Sequence, residues 1–340
     1  VPTLDEFGLI RVWTEARHSK EFLNHAGVKL GIGDDAAIVG GGSQAEEWLL
    51  TMDTMVEEVH FRNETMGEWD VGYKALAANI SDIAAMGGIP KYVLVSVSVP
   101  SSWNAERMKL LFDGLYTCAE CYDIAIIGGD TTSAPQQLVV SITLLGVIET
   151  GQAIRRDGAK PGQLVFLTGP TGLSAAGLHA LLNKGKLATA SISPRLLQAH
   201  QRPVPSVKAG RILVEKRWGA SLNDVSDGLA SEAWEIAEAS QVKVVLKEPL
   251  LPLSGEVAAY ARANRIQSLD FVLYGGEDYV LLGTVEPQYE QVMKEYFRKE
   301  GIPLFIVGEI EAGLPDVVLE TALGTSKRID KRGYNHFPKG

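Results

Sequence analysis

Acidic residues gather where apolar runs end, in five places: Asp34-Asp35, Asp53, Asp82, Asp130, and Asp224 with Asp227. Each has small or hydroxyl-bearing company: Gly33; Thr51 and Thr54; Ser81; Gly129 with Thr131 and Thr132; Ser226 and Gly228. A single Asp in such a place commonly closes a turn or caps a helix, and Asp227 ahead of Gly228-Leu229-Ala230-Ser231 reads as a helix start. Repetition at strand ends, where loops collect functional groups, points instead to a shared site. Hard divalent cations such as Mg²⁺ take oxygen ligands and keep several waters, and small neighbours leave room for those waters and for phosphate oxygens. The stretch GIGDDAAIV at 31–39 poses the question directly. A Gly-rich turn invites an anion, two carboxylates repel one, and a cation between them reconciles the two.

Further residues extend the pattern. Asp82 lies in LAANISDIAAMGG, an Ala-rich helical run, and shares a face with Asn79. Asp is poor for helicity, and Ala78, Ile80, Ile83 and Ala84 do not make a polar surface, so Asp82 is expected to face a site. His60, between Val59 and Phe61, is either a packed or surface imidazole or a contact for a phosphate. Gly275-Gly276-Glu277-Asp278 repeats the Gly-Gly-acid pattern of Gly128-Gly129-Asp130. Arg155-Arg156 is the basic pair placed to reach an anion, with Arg155 reading as a solvated loop charge. Tyr334 and His336 in GYNHF suggest a tail that docks back on the body. Cys118 and Cys121 form a C-x-x-C near the end of an amphipathic helix, whereas a redox pair stands at a helix start. No second pair completes a zinc site, and both cysteines read as structural. No Walker A motif, G-x-G-x-x-G, H-R-D loop or G-x-S-x-G elbow occurs, so a phosphate site here must rest on metal ions.

The elements that must position these groups divide into two sets. The 340 residues suffice for two domains, and 46% hydrophobic with 22% charged residues suits globular cores. Lys and Arg number 32 against 42 Asp and Glu, a net charge of −10, which argues against nucleic-acid and anionic-membrane partners. No signal peptide opens the sequence and no apolar run spans a membrane, so a reduced cytoplasm is the expected setting. Strands are expected at 48–52, 92–100 and 138–148, with a buried strand at 124–127 running into Gly128-Gly129-Asp130. Helices are expected at 70–86, ended by Gly87-Gly88 and Pro90, and at 104–122. Composition turns polar from Gly151 to Gly162, which places a domain boundary there and gives domains 1–150 and 151–340. The pattern then restarts: strands at 163–168, 242–246 and 279–285, and helices around 174–182, 206–218 and 231–240. Long alternating strands indicate an α+β sheet with helices on one face. Residues 184–204 are expected to form a mobile loop.

In order along the chain, GIGDDAAIV, TMDTMVEEVHF, YKALAANISDIAAMGG, IIGGDTT, NDVSDGL, YGGEDY and GYNHF resemble the thiamine-monophosphate kinase family. Its superfamily also holds aminoimidazole ribonucleotide synthetase, selenophosphate synthetase and a hydrogenase maturation protein. The resemblance implies a two-domain α+β fold. It implies a homodimer whose N-terminal sheets join into a barrel, and a C-terminal α/β domain that closes the active site. It implies that ATP and several Mg²⁺ ions sit near the interface, and leaves a K⁺ requirement open. By resemblance Asp35, Thr51, Asp53, Asp82, Asp130, Asp224 and Asp227 supply metal ligands, with Met52 adding a backbone oxygen. The resemblance implies that Asp53, Asp82 and Asp130 are the catalytic set. It further implies that Gly129, Asp130, Arg156 and Ser226 contact ATP, that Phe112 lines its pocket, and that His60, Glu277 and Tyr334 hold the thiamine phosphate. Met52 stands where a hydroxyl is frequent and Phe112 where Tyr is common. The reactive N-terminal Cys of selenophosphate enzymes and the C-terminal Cys of the hydrogenase protein are both missing from this sequence.

The implied reaction joins thiamine monophosphate to the terminal phosphoryl group of ATP by direct in-line transfer. Its nucleophile is already ionised at neutral pH, so no general base is required. The alternatives are a sibling enzyme acting on an amide or formyl oxygen, or a non-catalytic Mg-nucleotide-binding protein.

Overall fold

The computed structural model describes residues 8, 10, 12, 14, 18–41, 45–183 and 192–334. In the first half, helix α1 (Lys20–His25) precedes strands β1 (Val28–Leu30), β2 (Ala37–Gly40) and β3 (Glu46–Val56). Helix α2 (Glu68–Ala85), strand β4 (Ile89–Val99), helix α3 (Ala105–Cys121) and strands β5 (Ala125–Ser133) and β6 (Val139–Glu149) follow. They form one six-stranded sheet in the order β1-β2-β3-β6-β4-β5, antiparallel except where β4 and β5 run parallel. Val140, Ile142 and Leu144 of β6 and Val93, Val95 and Val97 of β4 are buried, while Ser141, Thr143, Ser96 and Ser98 between them are only partly covered. This period of two sorts the sheet into a helix-covered face and an outer face.

The core face is covered by α2 and α3. Of the 18 residues of α2, 13 are buried, among them Asp70, Lys74, Asn79 and Ser81. A helix buried on nearly every side needs small residues where neighbours approach, and the Ala-rich sequence supplies them. At Gly72 an added Cβ would lie 1.8 Å from the Leu111 carbonyl oxygen, and at Gly114 one would lie 1.9 Å from that of Trp69. The α2–α3 crossing thus closes backbone to backbone, and α3 seals it with Leu111, Leu115 and Cys118.

The second half carries β7 (Leu164–Leu167), α4 (Leu173–Leu182), α5 (Pro194–Gln201), α6 (Val207–Lys216), β8 (Gly219–Asp224), α7 (Leu229–Ser240) and β9 (Lys243–Lys247). Then come α8 (Gly255–Asn264), α9 (Ser268–Tyr274), β10 (Leu281–Val285), α10 (Glu290–Lys299), β11 (Phe305–Glu311), β12 (Asp316–Glu320) and β13 (Ser326–Arg328). The seven-stranded sheet runs β13-β12-β9-β11-β7-β10-β8, with β12 and β9 its parallel pair. Helix α2 reaches into this half: a Cβ on Gly210 of α6 would meet the Ala84 carbonyl at 2.3 Å, and Arg202 pairs with Asp70 at 2.6 Å.

Two expectations need correction. The strand at 124–127 is not buried; β5 is an exposed edge that continues through Gly128-Gly129-Asp130 to Ser133. It can lie there because Gly129 lets the strand close on β4, where a Cβ would stand 1.8 Å from the Val95 carbonyl. Within 184–204, residues 194–201 form α5, capped by Ser193 and anchored by buried Leu196 and His200. Residues 184–191 lie outside the described residues. Among the described residues no helix is long and apolar enough to cross a membrane.

Overpacking a filled crossing costs about 1–3 kcal/mol. Gly114→Ala should therefore lower the melting temperature by several degrees, whereas Gly255→Ala, whose Cβ meets nothing within 4 Å, should leave it unchanged. Equal melting temperatures for the two variants in a calorimetric scan would contradict the close crossing.

Candidate active site

Carboxylate oxygens of Asp35 (β1–β2 loop), Asp82 (α2) and Asp224 (end of β8) all lie within 4.8 Å of one another. Asp53, on β3, stands close enough that its charge opposes ionisation of Asp82. Short side-chain bonds hold the arrangement. Thr51 Oγ1 donates to Asp82, and Ser81 Oγ donates to Asp224 Oδ2 at 2.5 Å. The Asp53 amide donates to Asn79 Oδ1 at 3.0 Å, and Asn79 Nδ2 donates to the Ala75 carbonyl at 3.0 Å. Three elements distant in sequence are thereby tied at one point, and Asn79 and Asp82 do share a working face of α2.

One cation answers part of this charge. Arg156 donates to Asp35 and to Glu235 Oε2 at 2.5 Å, with Asp34 at 3.7 Å, and its backbone amide donates to Asp34 Oδ2 at 3.2 Å. The remaining carboxylates stay under strain. Burial, with the charge of neighbouring acids, pushes Asp53 and Asp224 each up to about 6 and drives Asp35 and Asp82 well above the usual range. Asp35 Oδ2 is buried without a hydrogen-bond partner. An all-oxygen donor set, excess negative charge and an orphaned carboxylate oxygen fit hard divalent cations.

The cluster borders a cleft of about 860 Å³. Asp53, Asp82, Asp227 and Ser226 line it together with Met52 and Thr54, while Leu178 and Leu182 of α4 and Phe271 and Tyr274 of α9 give it an apolar wall. His60 and Tyr334 also face it, their rings 6.4 Å apart. His60 Nδ1 accepts the Val56 amide at 3.0 Å, and the Tyr334 amide donates to the Asp227 carbonyl at 3.2 Å, so the tail docks on the body as far as Tyr334. His336 lies outside the described residues. Glu277 lines the cleft between Lys74 and His200, at 2.7 and 3.2 Å. Burial alone would raise its pKa, but these partners hold it down at about 2.

Other expected residues stand elsewhere. Asp130 and Gly129 lie on exposed β5, whose register runs Asp130–Ser96–Ser141–Thr54 across the sheet. Three strand spacings, about 14 Å, separate Asp130 from β3. Phe112 packs into the first core rather than lining the cleft. Arg155 is half-exposed and paired with Asp157 at 2.5 Å, as its solvated reading implies. Cys118 is buried and Cys121 exposed, both free.

Several working residues escape sequence reasoning. Buried Glu232 accepts from Asn223 Nδ2 at 2.6 Å and from the Asp227 amide at 3.0 Å, shaping the turn that carries Asp224 and Asp227. Asp278, singled out in the sequence only as part of the Gly-Gly-acid pattern, accepts the Gly172 and Ser174 amides, at 2.5 and 3.0 Å, at the start of α4. Lys74 is the lone charge between Val71 and Ser81, a signal that was readable. His200 and Glu235 gave none, since their partners are remote in sequence.

This architecture is that of AIR synthase related proteins: the model of that family's N-terminal domain matches residues 33–148 and the C-terminal model residues 160–319. Within it, the chain belongs to the thiamine-monophosphate kinase family. The thiamine-monophosphate kinase of Bacillus subtilis is 42% identical over 336 residues, covering 98% of this chain and 100% of the relative. That of Escherichia coli K12 is 33% identical, covering 98% of each. A solved structure described as AaThiL complexed with AMPPCP and TMP is 31% identical, with a TM-score of 0.83 over 98% of this chain and 97% of that one. The thiamine-monophosphate kinase of Stenotrophomonas maltophilia K279a is 32% identical, with a TM-score of 0.74 over 90% of this chain and 94% of that one.

Asp53 and Asp224 hold protons more tightly when folded, near 6, than an ordinary Asp at 3.8. Between those values the folded state carries extra protons, so stability falls as pH rises through that window. Metal-free protein should melt several degrees lower at pH 6.5 than at pH 4.5, a span that falls mostly within that window, and Asp53→Asn should narrow that gap. A gap of the same size in the variant would show that the cluster does not set it.

Proposed function

We propose that this chain transfers the terminal phosphoryl group of ATP to thiamine monophosphate, giving thiamine diphosphate and ADP. The observation that carries the reading is the convergence of Asp35, Asp53, Asp82 and Asp224 beside a cleft with one acidic and one apolar wall. Two polyanions must meet there, and at 4 Å two unit charges in an effective dielectric of 20 repel by about 4 kcal/mol. Several Mg²⁺ ions bound through Asp35, Thr51, the Met52 carbonyl, Asp53, Asp82, Asp224 and Asp227 would supply the charge neutralisation that phosphoryl transfer requires. The protein's own contribution is to orient. Asn79, Ser81 and Thr51 fix the carboxylates, Arg156 and Glu232 fix the loops that carry Asp35 and Asp227, and Ser226 lies beside the nucleotide phosphates. The apolar wall receives the aromatic rings of the acceptor, while His60, Glu277 and Tyr334 flank it. No general base is needed, because the attacking phosphate oxygen is already ionised.

The same reading makes the active form a homodimer, with domains 1–150 and 151–340 in each copy, working in the cytoplasm. Two observations support it. The outer face of the six-stranded sheet exposes Tyr92 by 40%, Leu94 by 39%, Ile127 by 56% and Met52 by 61%, an apolar surface suited to a second sheet. Asp130 and Gly129 lie too far from β3 to join the cluster of their own chain, and a partner copy would bring its β5 to the nucleotide.

Asp53→Asn should fold and release almost no ADP in a coupled assay with ATP and thiamine monophosphate, extra Mg²⁺ restoring only part. Full turnover in that variant would reject the assignment. Asp130→Asn should also be inactive alone, yet mixing it with Asp53→Asn under conditions of subunit exchange should restore activity, since one site of each mixed dimer is then intact. Failure to regain turnover in mixtures shown to exchange would sink the two-chain site.

A further inference from the structure

Lys74, His200 and Glu277 meet in the protein interior at the edge of the cleft. Lys74 and His200 side chains are each 1% exposed, and that of Glu277 is 30% exposed. Lys74 Nζ lies 2.7 Å from Glu277 Oε1, and His200 Nδ1 lies 3.2 Å from Oε2. His200 Nε2 is buried with no partner, which assigns the neutral tautomer with its proton on Nδ1, donated to Glu277. One cation, one carboxylate and one neutral donor then balance in charge, with His200 Nε2 left as the single unpaired acceptor of the three side chains.

The backbone around Glu277 is held as firmly. Glu277 and Tyr279 adopt φ of +63° and +52°, a conformation that side-chain-bearing residues seldom take. Strain of this kind persists only where the surroundings over-determine it. The Glu277 amide donates to the Ser226 carbonyl at 2.6 Å, the Tyr279 amide to that of Val225 at 2.9 Å, and Asp278 between them caps α4.

Lys74 belongs to α2, the helix that also carries Asp82. The two are eight residues apart, about 12 Å of helix rise. Glu277 belongs to the other half of the chain. The Lys74–Glu277 pair therefore joins the wall of the cleft to the helix that bears the carboxylate cluster, at a fixed distance from it. We infer that Lys74 is a positioning residue for the acceptor: through Glu277 it sets where the cleft holds the thiamine phosphate relative to the reacting phosphoryl group. This rests on the reading of the cleft as the acceptor site. Lys74 touches neither the nucleotide's ligands nor the cluster itself, so its removal should fall on the acceptor alone.

The experiment is a double-mutant cycle read as separate KM values. Lys74→Met should raise the KM for thiamine monophosphate tenfold or more, with the KM for ATP changed less than twofold. Glu277→Gln should do the same. The double variant, which strands no charge, should be no worse than Glu277→Gln by more than twofold, because both substitutions remove one contact. Should Lys74→Met prove unstable, the comparison of Glu277→Gln with the double variant still decides. An unchanged acceptor KM in folded Lys74→Met would overturn the inference, as would a rise in both KM values alike, or a double variant whose loss is the product of the two single losses. If the unaltered protein releases no ADP in response to thiamine monophosphate, the reading of the cleft fails and this inference falls with it. If it turns over normally and only the KM split is missing, the positioning role alone is lost.

Discussion

Carboxylates packed within a few ångströms of one another repel, and the fold has to hold them there. That constraint explains features that look unrelated along the chain. Hydroxyls at Thr51 and Ser81, the amide of Asn79 and the guanidinium of Arg156 all contribute hydrogen bonds to acids or to the backbone beside them. The hydroxyls and the amide leave the charge in place, and the one guanidinium offsets only part of it, so Asp53, Asp82 and Asp224 keep an excess that further cations would neutralise. A folded chain that keeps such a cluster is pre-organised for a ligand that brings positive charge, and polyphosphate arrives with magnesium attached.

Helix α2 is where this arrangement meets the rest of the molecule. It contributes Asp82 and Ser81 to the cluster and Lys74 to the contact with Glu277, and it packs between the two sheets with most of its residues buried. A rigid rod of fixed rise keeps both ends of the cleft in register. Its alanines and Gly72 serve that purpose, since larger side chains would push α3 and α6 away and loosen the elements that carry Asp224 and Glu277.

Much of this was legible beforehand, and what was missed shares a cause. Alternation in β4 and β6, the Ala-rich run of α2 and the polar stretch after Gly151 follow from local periodicity and composition, which a sequence displays directly. Asp35, Asp82 and Asp224 could be grouped because each recurs in the same local setting. Residues defined by remote partners could not: His200 lies 77 positions before Glu277, and nothing near it marks the contact. The β5 edge was misjudged for a related reason, since an apolar tetrapeptide reads the same whether a strand is central or peripheral. Helix α5 shows the limit of composition, because residues 194–201 form a helix once Leu196 and His200 find a core.

The exposed strand β5 has a consequence beyond catalysis. An unpaired sheet edge is a template on which further strands can add without end, and proteins usually blunt such edges with charge and poor β-formers. Ile126-Ile127 alone would be an adhesive start, and Gly128-Gly129-Asp130 interrupts it with two flexible residues and an anion. Gly129 and Asp130 thus also give the edge the poor β-former and the charge that oppose the addition of a further strand.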